Sequence, residues 1–324
     1  MLLATAMVLI GFIVLIWSAD LFVAGAASIA KNMGMSPIII GLTIVSLGTS
    51  APEILVAITA SLSGAGELAI GNAIGSNIAN IALVLGVTVI VAPLMVQERC
   101  MKSEFPILLL ATAVVGLLII DLELSPRDGW LMLALLVLII GQLVRKQFKD
   151  TELLVEAENE PEHPLPSGRA WRSFLLGLIL LIASSKILVW GAVLAAQTLG
   201  ISELVVGLTI VAIGTSLPEL AATIASAMRG HTEIALGNII GSNLFNILAV
   251  MAIPGIVATR TLDPAVLSRD YFAMTFLTVF LGVAIYVSRW RSKSSPGHAY
   301  LGRILGTLLV SFYALYYYWL HLTM

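Results

Sequence analysis

Charge is what this sequence most conspicuously lacks. Only 11% of its 324 residues are Asp, Glu, Lys or Arg, where soluble domains carry about 25%. So few charges cannot cover the water-facing surface of a chain this long, which excludes a cytosolic enzyme, a secreted module or a nucleic-acid reader as the main reading. A basic excess is missing too. Seventeen Lys and Arg against nineteen Asp and Glu leave a net charge of −2, so no global field exists to attract DNA or RNA. The single cysteine, Cys100, excludes an intramolecular disulfide. The four histidines, His163, His231, His298 and His321, lie in loops or near segment ends and show no zinc-ligand spacing.

Apolar residues make up 59% of the chain and the mean hydropathy is +1.02. This predicts an all-α integral membrane protein. Runs long enough to span a bilayer occur at about 4 to 30, 37 to 62, 68 to 93, 105 to 121, 128 to 145, 171 to 197, 203 to 227, 233 to 257, 271 to 288 and 300 to 320. The first run has no Lys or Arg ahead of it and is too long for a signal-peptide core, so it reads as a retained span. When loops are assigned alternately to the two sides, thirteen basic residues fall on one side. Only Arg127, Arg260 and Arg269 fall on the other, and Lys186 is left inside a span. The positive-inside rule makes the richer side cytoplasmic and places both termini outside the cytoplasm. Between the fifth and sixth spans Asp150, Glu152, Glu156, Glu158, Glu160 and Glu162 precede Pro164 and Pro166. The stretch reads as a linker; as a calcium sensor it lacks an EF-hand spacing.

The sequence matches itself at an offset of 166 residues. Gly41-Leu-Thr-Ile-Val-Ser-Leu-Gly-Thr-Ser-Ala-Pro-Glu53 returns as Gly207-Leu-Thr-Ile-Val-Ala-Ile-Gly-Thr-Ser-Leu-Pro-Glu219, and Gly71-Asn-Ala-Ile-Gly-Ser-Asn-Ile-Ala-Asn80 as Gly237-Asn-Ile-Ile-Gly-Ser-Asn-Leu-Phe-Asn246. Gly11, Gly25 and Gly34 match Gly177, Gly191 and Gly200. The expected organisation is therefore a five-helix repeat over residues 1–149, an acidic cytoplasmic linker over 150–170 and a second five-helix repeat over 171–324. Five spans is an odd number, so the halves enter the membrane in opposite directions, the inverted repeat of many secondary transporters. Duplication kept for packing alone predicts matched small residues, not matched carboxylates in apolar helices.

Glu53 and Glu219 each sit near the centre of an apolar run. A centred acid costs roughly 3 kcal/mol on insertion scales, and residues retained at that cost mark ion sites or pathways. A structural ion pair is the alternative, but only Lys186 lies within any span, which leaves at least one glutamate without a basic partner. On a helix Ser46, Thr49, Ser50 and Glu53 share one face, as do Thr215, Ser216 and Glu219. Pro52 and Pro218 supply no amide hydrogen, so the carbonyls of Gly48 and Gly214 lose partners and both helices should break there. Carbonyls, hydroxyls and one carboxylate per half make an all-oxygen cage, the ligand set of calcium or sodium. In the next helix of each half Asn72, Ser76 and Asn80, with Asn77 alongside, form a polar stripe that Asn238, Ser242, Asn246 and Asn243 repeat. Asn72 and Asn238 are either ion ligands or interhelical glue. Gly71 and Gly75, with Gly237 and Gly241, form GxxxG pairs suited to close packing. Two adjacent carboxylates cannot both stay ionised without a counter-charge. One divalent cation, two or three monovalent ones, or protons must therefore fill the cage, and competition among them is the physical basis of antiport.

These two Gly-Thr-Ser-x-Pro-Glu segments, each followed by Gly-Asn-x-x-Gly-Ser-Asn, resemble the paired alpha repeats of the sodium/calcium exchanger family within the cation/calcium antiporters. The resemblance covers essentially the whole chain and points to a prokaryotic-type exchanger without the large regulatory domain of animal members. It implies alternating-access exchange of sodium for calcium as transported ions, no cofactor, and no partner beyond these ions and the lipid bilayer of a bacterial or archaeal inner membrane. It further implies that Glu53 and Glu219 are shared ligands, with Thr49, Ser50, Ser76, Thr215, Ser216 and Ser242 as oxygen donors and backbone carbonyls near Ser46 and Ala212 contributing. The first and sixth helices, about 4 to 30 and 171 to 197, would slide as a gating pair. Asp20 and Lys186 hold equivalent places in those two helices with opposite charge. They pair with each other or with polar neighbours in some access state, or else each snorkels or binds a serine such as Ser18 or Ser184. One departure stands out: some family members carry Asp at one of the positions matching Asn80 and Asn246, whereas both are Asn here. That removes a possible third charge and bears on stoichiometry and potassium coupling. The same two glutamates could serve proton-coupled calcium or other divalent exchange. A channel and an intramembrane hydrolase are the competing classes, although acid and base roles need unequal environments and these two shells match.

Overall fold

The computed structural model describes residues 2–150, 164–199, 212–291 and 298–323. The acidic residues from Glu152 to Glu162 and the segment Gly207-Leu-Thr-Ile-Val of the second motif lie outside the described residues. The chain is an all-α membrane protein. Among the described residues seven helices are long and apolar enough to cross a bilayer. These are α1 (Leu2–Asn32), α4 (Gly66–Val91), α5 (Cys100–Leu118), α6 (Pro126–Arg145 in its apolar part), α7 (Ser167–Thr198), α10 (Thr232–Val257) and α11 (Val266–Trp290). A bent pair, α2 (Pro37–Thr49) and α3 (Ala51–Leu62), makes an eighth. The predicted seventh run appears as α8 (Ala212–Thr215) and α9 (Leu217–Met228). The tenth is α12 (Arg303–Thr323), whose apolar character is diluted by Tyr313, Tyr316, Tyr317, Tyr318 and Trp319.

Helix ends differ from the expected ones by a few residues, because polar ends continue the helix beyond the apolar window. Helix α6 runs on to Asp150, and α5 begins at Cys100 with a π-helical turn. Four short strands in the connections were not expected: β1 (Leu94–Gln97) pairs antiparallel with β4 (His298–Leu301), and β2 (Glu123–Leu124) with β3 (Arg260–Thr261). Beside β1, Glu98 accepts from Lys102 at 2.7 Å and from Arg289 at 2.6 Å, which ties the α4–α5 connection to the end of α11. The Lys102 hydrogen bond and charge, with Arg289, hold the Glu98 carboxyl below the usual carboxylate range.

Duplication is visible in the turns. Helix α3 ends in a left-handed glycine, Gly64 at φ +85°, and α9 in Gly230 at φ +81°. Around them Ala65 N–H donates to Ala60 O and Gly64 N–H to Ser61 O, while His231 N–H donates to Ser226 O and Gly230 N–H to Ala227 O. That is one Schellman motif made twice, at positions 166 apart. It reverses the chain so that each carboxylate-bearing helix lies against the helix carrying the polar stripe.

Helices α1 and α7 run antiparallel along one another through the matched glycines. A Cβ on Gly25 would lie 2.5 Å from the Phe174 nitrogen, and one on Gly177 2.5 Å from that of Phe22. Phe22 and Phe174 stack beside them at 4.8 Å. In lipid, where helices gain no hydrophobic free energy from pairing, such backbone approach is the main source of association. The pair forms its own apolar cluster with Ile40 and Val45 of α2, distinct from the larger core around α4, α5, α10 and α11.

Candidate ion site

The two bent helices bring the candidate ligands together. The chain leaves helical geometry at Ser50 (φ −84°, ψ 4°) and Ser216 (φ −91°, ψ 6°), the bridge region where many active-site residues lie. The α2 and α3 axes differ by 45°. Each break falls two residues before its proline. Pro52 and Pro218 therefore sit in the first turn of α3 and α9, where a missing amide hydrogen costs nothing. Ser46, Thr49, Ser50 and Glu53 straddle the bend instead of lining one straight helix face, and all four are buried. Glu53 and Glu219 are 1% and 2% exposed.

Contacts run between the halves. Ser50 Oγ donates to Glu219 Oε1 at 3.3 Å. Thr49 Oγ1 donates to Asn238 Oδ1 at 3.1 Å and lies 3.5 Å from Ser242 Oγ. The segment containing Asn80 packs on α9, which holds Glu219, and the segment containing Asn246 packs on α3, which holds Glu53. Both asparagines open π-helical turns, Asn80–Leu85 and Asn246–Val250. Insertions of this kind favour functional sites because they turn side chains out of the regular helical register. No pattern in the apolar runs announced them.

Around the two motifs five buried oxygens find no hydrogen-bond partner, Glu53 Oε2, Glu219 Oε2, Ser216 Oγ, Asn80 Oδ1 and Asn246 Oδ1, and further ones such as Ser36 Oγ and Thr275 Oγ1 lie elsewhere among the described residues. Each such oxygen costs on the order of 1–3 kcal/mol. Native proteins tolerate few of them, and here four of the five occur at matched places of two motifs. Unpaired oxygens of this kind suit a hard cation; the Asn80 side-chain nitrogen beside them is unpaired too. Ser76 is buried one helical turn before Asn80. Thr215 is partly buried next to Ser216, and Ala212 opens α8. The Ser46 hydroxyl turns back to Leu42 O at 2.7 Å. Its carbonyl accepts the Ser50 amide at 2.9 Å and, more weakly, the Thr49 hydroxyl at 3.4 Å.

Asp20 and Lys186 do not meet in this conformation. Asp20 accepts a hydrogen bond from Arg229, at the end of α9. Lys186 is exposed on α7, Ser18 donates to Leu15 O and Ser184 to Leu181 O. Asp20 thus ties α1 to a helix of the site instead of to its own partner helix. Nothing in the spacing singled out Arg229, because the two are brought together only by packing. A double-mutant cycle of Asp20→Asn and Arg229→Met on ion exchange is expected to show coupling of about 0.5 kcal/mol or more; additive effects would show that the pair does not act as a unit.

The sodium/calcium exchanger family model matches residues 3–144 and 169–322, one stretch in each half. The chain belongs to that family. It is 48% identical to CaxA of Alkalimonas amylolytica over 284 residues, 87% of this chain and 89% of CaxA. With the sodium/calcium exchanger MaX1 of Methanosarcina acetivorans it shares 31% identity, covering 94% of this chain and 97% of MaX1. The sodium-calcium exchanger NCX_Mj superposes with a TM-score of 0.82 at 30% identity over 97% of both chains.

Proposed function

We propose that this membrane exchanger is a secondary antiporter that moves calcium against sodium by alternating access, at a site shared between its halves. The observation that carries the reading is the pair of buried carboxylates, Glu53 and Glu219, one from each motif, linked across the halves by Ser50. Two acids so placed need a compensating cation, and one calcium ion matches their two formal charges. Thr49, Ser50, Ser76, Thr215, Ser216 and Ser242 surround them as neutral oxygen donors, with the carbonyls of Ser46 and Ala212. Asn80 and Asn246 supply amide oxygens at the ends of the two stripes and add no charge.

The proposed arrangement is ten spans in two inverted halves, residues 1–149 and 171–324, joined by a cytoplasmic linker at 150–170, with both termini outside the cytoplasm. Helices α1 and α7 are the moving pair: held tightly to each other through glycines and the stacked Phe22 and Phe174, they shift together past the other helices. Because the carboxylates are buried and the ligands come from both halves, a shift of that pair changes which face of the membrane reaches them.

Reconstitution in sealed vesicles tests this. Calcium uptake is expected when sodium is loaded inside, with no need for potassium. Uptake falls as the pH is lowered, because protonating either glutamate removes charge that calcium requires. Uptake that requires potassium on the calcium side, or that follows a proton gradient with sodium having no effect, would overturn sodium coupling. Calcium entry without any trans ion would indicate a channel.

A further inference from the structure

Asn238 of α10 touches two other helices at once. Its side-chain oxygen accepts the Thr49 hydroxyl at 3.1 Å, closer than the other acceptor of that hydroxyl, Ser46 O at 3.4 Å, and its amide nitrogen donates to Thr223 Oγ1 at 3.0 Å. Thr49 precedes the bend in the first half, while Thr223 lies one helical turn after Glu219 in the second. All three side chains are buried. A hydroxyl that binds a cation must turn its lone pairs inward and send its single proton elsewhere. Were the Asn238 amide reversed, its NH2 would face Thr49, occupy one of those lone pairs and place positive hydrogens beside the cation. With its nitrogen on Thr223 Oγ1 and its oxygen on Thr49, the amide lies in the useful orientation.

The geometry points to Asn238, held by Thr223, as a positioning residue that takes the Thr49 hydroxyl proton and so aims that oxygen at the transported cation. This rests on the antiport reading above and deepens it. The other half lacks the arrangement. Ala57 stands where Thr223 does, and the side-chain nitrogen of Asn72, the counterpart of Asn238, is buried without a hydrogen-bond partner among the described residues. The Asn72 amide therefore has no hydroxyl behind it of the kind that Thr223 offers Asn238.

The test uses the full chain in vesicles and radioactive calcium, with Thr223→Val as the variant that keeps shape and removes the acceptor. The calcium concentration for half-maximal uptake is expected to rise about tenfold, the usual scale for losing a group that orients a metal ligand. The maximal rate should change by less than about twofold. Thr223→Ser should restore the wild-type value. In a Thr49→Val background, Thr223→Val should have no further effect, since the proton it helps to place is gone. Should Thr223→Val fold poorly, Thr223→Ala carries the same expectation. Unchanged half-saturation, a loss confined to maximal rate or thermal stability, no rescue by serine, or independent losses in the double variant would each overturn the assignment. Wild-type vesicles that exchange no calcium would overturn the antiport reading itself, and with it this role. Normal wild-type exchange that Glu53→Gln abolishes and Thr223→Val leaves untouched would overturn the positioning role alone.

Discussion

Glu53→Gln and Glu219→Gln are each expected to reduce calcium exchange on the order of 10²-fold or more while leaving a folded protein in the membrane. Glutamine keeps nearly the same volume and one oxygen but removes half of the cage's formal charge. Leaving a buried ion without its counter-charge costs about 3–5 kcal/mol, which as affinity is about two to nearly four powers of ten. Folding responds differently from transport. Without a cation the two buried carboxylates cannot both stay ionised and must take up a proton, so either glutamine replaces a group whose charge is costly to bury and the ion-free melting temperature should hold steady or rise. Calcium should stabilise the wild type by about 2.7 kcal/mol at a hundred times its dissociation constant and should do much less for either variant. Thermal unfolding with and without calcium, alongside vesicle uptake, checks both halves of this result. Near-normal uptake by either folded variant would remove that carboxylate from the site.

Gly241→Ala is expected to be nearly as damaging, although it removes no ligand. A Cβ on Gly241 would stand 2.4 Å from Ser46 Oγ and 2.6 Å from the Leu42 carbonyl oxygen. The serine could rotate away, but the backbone carbonyl cannot, so α10 must move off α2. Those two helices carry Ser242 and Asn238 on one side and Thr49 on the other. A displacement of about 1 Å at a site of this kind costs on the order of 10²-fold in rate, and overpacking costs about 1–3 kcal/mol in stability. Gly141→Ala on α6, where a Cβ meets no described atom within 4 Å, is the control: alanine in a helix interior is favoured over glycine by about 1 kcal/mol. Equal behaviour of the two variants would show that the approach of α2 to α10 does not set the site.

Much of this was readable in the linear chain because a bilayer simplifies the problem. A segment in hydrocarbon must satisfy its own backbone groups, so long apolar runs become helices whatever their neighbours. The runs at 4 to 30, 68 to 93, 171 to 197 and 233 to 257 reappear as α1, α4, α7 and α10 with ends shifted by a few residues. Segments such as Leu94–Gln97 and His298–Leu301 were not legible as strands. Four residues in a connection carry too little pattern, and each strand exists only because the other lies beside it.

The sequence by itself determined which residues could carry the chemistry. Charge is so expensive in an apolar span that Glu53 and Glu219, repeated in matched motifs, announce their own importance, and the prolines and glycines beside them mark where helices bend and touch. Only the tertiary structure decided how these residues meet. It placed the helix breaks at Ser50 and Ser216, turned Asn80 and Asn246 into π-helical turns, joined Ser50 to Glu219 across the halves and gave Asp20 to Arg229 instead of Lys186. The reason is one of range. Insertion cost and helix formation are local or nearly so, and act along the chain. A hydrogen bond between residues 169 or 189 positions apart depends on packing distances set by every helix between them.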